Sequence, residues 1–231
     1  MKGSAFRAAF ERTLPVMAGY LVLGLGFGVL LSRAGYGAGW SFMMSAGIYA
    51  GAMQYVTVDL LLASVTIWEA ALMTLTVNAR HLFYGITMAE AYRNTGKSKP
   101  YLAFALTDET FALLSLTEVP EGVSAKKYYL YVSALDHLYW VAGSLLGSLA
   151  GLLPFDFSGI EFSMTALFAV MLTEQWRRRE ARLPVLIGLT SAMFCLLLLG
   201  PGRFTVPAIL LIMGALFLLR QQPTRAGGAQ E

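Results

Sequence analysis

The chain has 231 residues, 57% hydrophobic and only 13% charged, with a formal net charge of +3 and a mean hydropathy of +0.61. Soluble domains carry roughly 25% charged residues, so this composition excludes a soluble enzyme and reads as an all-α, polytopic integral membrane bundle. At about 20 residues per helical crossing, the length holds seven to eight membrane segments in a single transporter domain over 1–231 and leaves no room for a separate catalytic domain.

Taken in order, Met1 to Thr13 is a short polar segment with Lys2, Arg7, Glu11 and Arg12, and an apolar run from Leu14 to Leu31 follows. That run is too long for a signal peptide and no small-residue cleavage site follows it, so it reads as an uncleaved first span. Pro15 lies near its start, where a missing N–H is harmless. Gly24, Gly26 and Gly28 suit either the close approach of another helix or a break. The second span is expected from Trp40 to Ser64. Gly47 and Gly51 are four apart, which puts them on one helical face in the small-xxx-small pattern. Gln54, in the same run, offers an acceptor and a donor to a neighbouring helix or to a ligand, whereas Asp59 sits nearer a membrane surface.

The third run, Ile67 to Ala91, carries Thr76-Val77-Asn78-Ala79-Arg80-His81-Leu82-Phe83-Tyr84 in its middle. An arginine at the centre of a spanning helix costs roughly 2.5–3.5 kcal/mol on insertion scales, and such groups usually face the bundle interior or a watery path. A polar loop with Arg93, Lys97 and Lys99 leads to a run from Tyr101 to Leu116 with Thr107, Asp108, Glu109 and Thr110 at its centre. Sixteen residues span only about 24 Å, so this segment is expected to be broken or re-entrant.

The fifth span, Tyr128 to Leu153, holds Asp136 and His137 and then the GxxxGxxxG ridge Gly143, Gly147 and Gly151, a face for another helix. A turn over Pro154 to Glu161 leads to the sixth span, from Phe162 to Glu174, Gln175 and Trp176, and to a block of Arg177, Arg178, Arg179 and Arg182 placed in the cytoplasm. Two almost purely apolar runs, Leu183 to Leu199 and Phe204 to Leu219, flank a GPGR link, and the tail 221–231 is expected to be disordered. The single Cys195 excludes an internal disulfide and reads as packing.

Two topologies fit the charges equally. If every run crosses once, the loop with Arg93, Lys97 and Lys99 breaks the positive-inside rule; if Tyr101 to Leu116 is re-entrant, the N-terminus breaks it. A loose echo between the stretches Gly24 to Gln54 and Gly143 to Gln175 suggests an inverted repeat, which needs the re-entrant option.

Arg80, Asp108, Glu109 and Asp136, at about 3 kcal/mol each if left unpaired, would together cost roughly 12 kcal/mol, as much as a whole domain's stability. Pairing is therefore expected: Arg80 with Asp108 or Glu109, and Asp136 with His137 through a shared proton or hydrogen bonds. A buried ion pair that merely fixes helix register is the structural alternative. Charge clustered at the ends of apolar runs argues against a nucleic-acid partner. The absence of HExxH, GxSxG and phosphate-loop motifs argues against an enzyme, and no metal site or cofactor is expected.

These motifs resemble the AzlC family, the large subunit of branched-chain amino acid exporters linked to azaleucine resistance. Gly51-Ala52-Met53-Gln54-Tyr55 resembles its GAAQF, Asn78-Ala79-Arg80-His81-Leu82-Phe83-Tyr84 its NLRHLLY, and Leu106-Thr107-Asp108-Glu109 its LTDE, over about Pro15 to Gln175. Met53 replaces an alanine, Ala79 a leucine, and Tyr20 to Gly24 lacks a proline. The resemblance implies a bacterial inner-membrane, multi-pass exporter of valine, leucine, isoleucine or methionine, and a separately encoded small subunit of the AzlD type.

For such an amino-acid substrate, Gln54, Asn78, Arg80, Asp108 and Glu109 are the candidate binding residues. Arg80 takes the carboxylate, Asn78 and Gln54 orient it, and Asp108 or Glu109 holds the ammonium. His81, Asp136 and His137 are candidates for a proton path. A passive channel or structural subunit is the alternative function.

Overall fold

The computed structural model describes residues 4–63, 65–115, 119–154, 159, 162–177, 179, 182–200 and 204–220. Outside these lie residues 1–3 of the polar segment, the ends at 64 and 116 of two expected runs, most of the turn over Pro154 to Glu161, Arg178 of the arginine block, 201–203 of the GPGR link and the tail 221–231.

The described residues form ten α-helices and one short 3₁₀ turn, with no strand among them. The long helices are α1 (Ala5–Arg33), α4 (Ile67–Met88), α7 (Ala125–Ala150), α8 (Phe162–Arg177), α9 (Arg182–Leu199) and α10 (Thr205–Arg220). Two expected runs are instead interrupted. Trp40 to Ser64 becomes α2 (Ala38–Gly47) and α3 (Gly51–Leu62), and Tyr101 to Leu116 becomes α5 (Lys99–Phe104) and α6 (Asp108–Ser115).

Among the described residues, α1 and α9 are long and apolar enough to cross a bilayer by themselves. The count falls short of seven to eight for local reasons. Two runs are broken, α4 and α7 have the length but carry polar centres, and α8 and α10, at 16 residues each, reach only about 24 Å.

Contacts divide the chain into two compact units, Met1–Thr66 with Val77–Leu167, and Ile67–Thr76 with Phe168–Glu231. In the second, α9 packs on α10. The pattern on α9 is inverted relative to a soluble helix. Ser191 and Cys195 are buried, while Leu183, Leu189, Met193, Phe194, Leu197 and Leu198 are exposed. Apolar side chains facing outward over small or polar ones facing inward suit a hydrocarbon surround, where leucine gains nothing by leaving the surface.

The first unit is built on α1 against α7. Gly24 and Gly28 of α1 lie over Gly143, Ser144, Gly147 and Ser148 of α7, backbone against backbone. A Cβ on Gly24 would stand 3.0 Å from Ser144 N and one on Gly143 would stand 2.8 Å from Tyr20 O. Cβ atoms on Gly28 and Gly147 would run into Ser144 O and Leu25 O. Gly151 continues the ridge against Ser32, its Cβ position 2.8 Å from Ser32 Cβ. Without side chains between them, the two backbones meet in van der Waals contact along several turns. Ser41 Oγ then ties α2 to Ser144 O at 2.9 Å.

Gly47 does not share a face with Gly51. The break between α2 and α3 separates them, a Cβ on Gly47 would meet nothing within 4 Å, and Gly51 packs on the Trp140 ring.

Gly147→Ala should lower thermal stability in detergent by about 1–3 kcal/mol, because the added methyl must push α1 away from α7. Gly19→Ala, whose Cβ meets nothing within 4 Å, should be neutral or stabilising through helix propensity. Equal melting temperatures for the two variants would contradict the contact.

Candidate functional site

The two helix interruptions meet around α7. At the first, Tyr49 is buried with φ 47°, a left-handed conformation that costs a non-glycine residue of order 1 kcal/mol or more. Its ring stacks on His137, with centroids 4.2 Å apart, and lies 6.3 Å from the ring of Phe104 at the end of α5.

The interruption also frees backbone. Tyr49 N turns to Met44 O, so Ser45 O has no donor from the next turn and His137 Nε2–H supplies one at 3.2 Å. With Nε2 donating, Nδ1 is left to accept from the Tyr101 hydroxyl, also at 3.2 Å. His137 thus joins α2, α5 and α7 across the gap.

At the second interruption, Thr107 starts α6. Its carbonyl accepts from Phe111 N at 2.8 Å and its Oγ1 from Thr110 N at 3.3 Å, the N-cap arrangement worth about 1 kcal/mol. Asp108 and Glu109 follow in the first turn, where the helix dipole favours negative charge. Successive helix residues point about 100° apart, and the two carboxylates go to different neighbours. Asp108 Oδ2 pairs with Arg80 Nη2 of α4 at 3.0 Å, with the side chains 26% and 29% exposed for Arg80 and Asp108. Its Oδ1 accepts from the Tyr84 hydroxyl at 2.7 Å, and the Tyr84 ring stacks on Phe111 at 4.4 Å.

Glu109 turns toward α1 and accepts from the Tyr20 hydroxyl at 2.7 Å. Tyr20 lies 2.6 Å from Thr107 Oγ1. Thr107 Oγ1 in turn lies 3.1 Å from Thr110 Oγ1, and Thr110 donates to Asp136 Oδ2 of α7 at 2.7 Å. Asp136 is 0% exposed, and its Oδ1 is buried with no hydrogen-bond partner among the described residues.

The other expected site residues are distributed differently. Gln54 is 0% exposed, accepting from Trp140 Nε1 at 2.9 Å and donating to Ser45 Oγ at 3.2 Å. It ties α3 to α7 and α2. Asn78 keeps a buried Oδ1 with no hydrogen-bond partner among the described residues. His81 Nδ1–H donates to Asn78 O at 3.1 Å in the preceding turn, and its ring lies 5.6 Å from that of Tyr84. Asp136 and His137 do not bond to each other. Adjacent on a helix, they face apart, one to Thr110 and the other to Tyr101 and Ser45.

Tyr20, Tyr84, Tyr101 and Ser45 complete this centre and were not singled out from the sequence. Thr107 carried one local signal, a threonine directly before two acidic residues that open a helix. Tyr84 closes the stretch that resembles the family motif, whereas Tyr20 and Tyr101 carried no signal, since a tyrosine in an apolar run looks like any packed aromatic.

The family model described as AzlC protein matches residues 15–153. The branched-chain amino acid transport protein AzlC of Bacillus subtilis is 41% identical over 224 residues, covering 96% of this chain and 88% of the relative. A membrane protein of Helicobacter pylori is 43% identical over 219 residues, covering 94% and 96%. The inner membrane protein YgaZ of Escherichia coli is 30% identical over 218 residues, covering 90% and 86%. No solved structure matches. With a family model over more than half its length and relatives matched nearly end to end, the chain belongs to the AzlC family.

Proposed function

We propose that this chain is a secondary transporter of the bacterial inner membrane that exports valine, leucine, isoleucine and methionine. On this reading it spans the bilayer seven to eight times, is driven by proton movement and works with a small AzlD-type membrane subunit. The name of the Bacillus relative supports the substrate class. The observation that carries the site is the Arg80–Asp108 pair, 3.0 Å apart and about one quarter exposed on each side.

A free amino acid presents a carboxylate and an ammonium a few bonds apart, the complement of an opened Arg–Asp pair. Arg80 takes the carboxylate in a forked geometry. Asp108, already held by Tyr84, takes the ammonium, and the unpartnered Asn78 Oδ1 supplies a second acceptor for it. One ion pair is exchanged for two, so the charges are paired both empty and loaded, which a transporter needs and a tight binder does not. Gln54, bonded to Trp140 and Ser45, positions α3 and keeps a second N–H to orient the substrate. A hydrophobic pocket discriminates a single methylene by only about 1–3 kcal/mol, so several apolar amino acids are accepted. Glu109 and Asp136 are the proton-carrying groups, while His81 and His137, each against a backbone carbonyl, hold the frame.

The test is efflux of preloaded valine, leucine, isoleucine and methionine from cells lacking their own exporters, with the small subunit present or absent. Losing a charged hydrogen bond costs about 1.5–3 kcal/mol, so Arg80→Gln and Asp108→Asn should each weaken substrate handling roughly 10- to 100-fold while remaining in the membrane. An uncoupler should stop efflux by the unmodified protein. Efflux by Arg80→Gln at the unmodified rate would remove Arg80 from the site, and efflux that survives the uncoupler would make the protein a passive channel.

A further inference from the structure

The contacts between Glu109 and Asp136 form an unbranched chain through three hydroxyls: Glu109–Tyr20 at 2.7 Å, Tyr20–Thr107 at 2.6 Å, Thr107–Thr110 at 3.1 Å and Thr110–Asp136 at 2.7 Å. Each oxygen–oxygen contact at hydrogen-bond distance holds one hydrogen between two lone pairs. Three hydroxyls supply three hydrogens for four contacts. With both carboxylates ionised, Tyr20 donates to Glu109 and Thr110 to Asp136. Thr107 can then serve only one neighbour, so either the 2.6 Å contact to Tyr20 or the contact to Thr110 is left as bare lone pairs. One added proton removes the deficit. If it sits on Glu109, every hydroxyl donates toward Asp136; if it sits on Asp136, every hydroxyl donates toward Glu109. Thr107 has the capacity for both, since in each case it donates once and accepts twice, the second time from Thr110 N.

Burial points the same way. Tyr20, Thr107, Thr110 and Asp136 are buried, so water is not at hand to fill a missing contact among the hydroxyls, while Glu109 is half-buried. A second carboxylate charge at the ends of such a chain is disfavoured. The titratable and charged groups packed around the chain are Tyr49 beside Tyr20, with rings 6.5 Å apart, Asp108 next to Glu109, and Tyr101 and His137 on α5 and α7. Arg80 makes its ion pair with Asp108.

We propose that Glu109 and Asp136 bind one proton between them and exchange it along Tyr20, Thr107 and Thr110. In the exchange Glu109 Oε2 gives its proton to Tyr20 Oη, Tyr20 gives its own to Thr107 Oγ1, Thr107 to Thr110 Oγ1, and Thr110 to Asp136 Oδ2. Four O–H bonds break and four form, every hydroxyl ends neutral, and one charge has moved from Asp136 to Glu109. Because Glu109 is next to Asp108 in the first turn of α6, the arriving charge changes the field at the Arg80–Asp108 pair. That coupling role rests on the export reading above, whereas the shared proton itself does not.

Infrared difference spectra of the full-length protein in lipid at neutral pH test the proposal. The signal is the C=O stretch of a protonated carboxyl, identified by its shift in heavy water. Glu109→Gln and Asp136→Asn should each remove the same single band, because the new amide supplies the fourth hydrogen and leaves the other carboxyl ionised. Thr110→Val should keep a band that no longer responds to Glu109→Gln, and Thr110→Ser should behave as the unmodified chain. Two bands lost one at a time, or no band affected by either variant, would overturn the shared proton.

Efflux separates this proposal from the functional reading. The predicted band pattern without proton-linked efflux keeps the proton site and rejects coupling; proton-linked efflux without the pattern keeps export and rejects the shared site.

Discussion

The first unit depends on the contact between the backbones of α1 and α7. Gly24 and Gly28 against Gly143 and Gly147 bring the helices closer than any pair with side chains between them, and that distance sets where Tyr20 of α1 stands relative to Asp136 of α7. Tyr20 projects from α1 toward α6, and Tyr55 of α3 donates to Leu23 O of α1 at 2.6 Å. Trp140 sits one turn from Gly143 and stacks on Phe27 at 6.3 Å while donating to Gln54. In hydrocarbon there is no water to drive apolar faces together, so packing and hydrogen bonds must do it, and glycine gives access to both.

The interruptions of α2/α3 and α5/α6 are the second constraint. A continuous helix satisfies its own backbone and presents only side chains. A broken one presents carbonyls and amides as well, and in a low-dielectric surround each of them must be met. His137 meets Ser45 O and Thr107 meets the amide of Thr110. Tyr49 holds the bend in a conformation it would not choose alone, with its ring pinned between Tyr20 and His137. The residues that look ionisable and functional in the sequence divide on this basis. His137 and Gln54 bond to α2 beside its interruption, whereas Asp108, Glu109 and Asp136 are held by the hydroxyls of Tyr84, Tyr20 and Thr110.

This division explains what the sequence could and could not disclose. The class, the helical content and the glycine ridge of α7 were legible because they depend on composition and on spacing along one helix. The shortness of Tyr101 to Leu116 disclosed a break there. The break between Gly47 and Gly51 was not legible, because nothing in SAGIYAGAMQ departs from a helical pattern. The left-handed turn falls on Tyr49, not on either glycine, and is imposed by the ring packing around it. The pairing of Arg80 with a carboxylate followed from the cost of leaving either alone. Its choice of Asp108 over Glu109 needed the direction of α6. The partners of Asp136 are not legible from its adjacency to His137, because a helix points consecutive residues about 100° apart.

That same property of helices gives the centre its logic. Asp108 and Glu109 are neighbours in the chain and are held by one cap, yet one faces α4 and the other α1. On the proposed reading, a substrate at Arg80 and a proton at Glu109 would act on the same turn from two sides. Neither needs to reach the other's partner. A change of one charge at Glu109 alters the energy of the Arg80–Asp108 pair by Coulomb interaction over a few ångströms of low-dielectric protein, where such interactions are several-fold stronger than in water. The short helix α6 is separated by its interruption from α5. Had Tyr101 to Leu116 been one continuous helix, the two carboxylates would keep their angular separation, but the turn that carries both would be fixed by hydrogen bonds on either side.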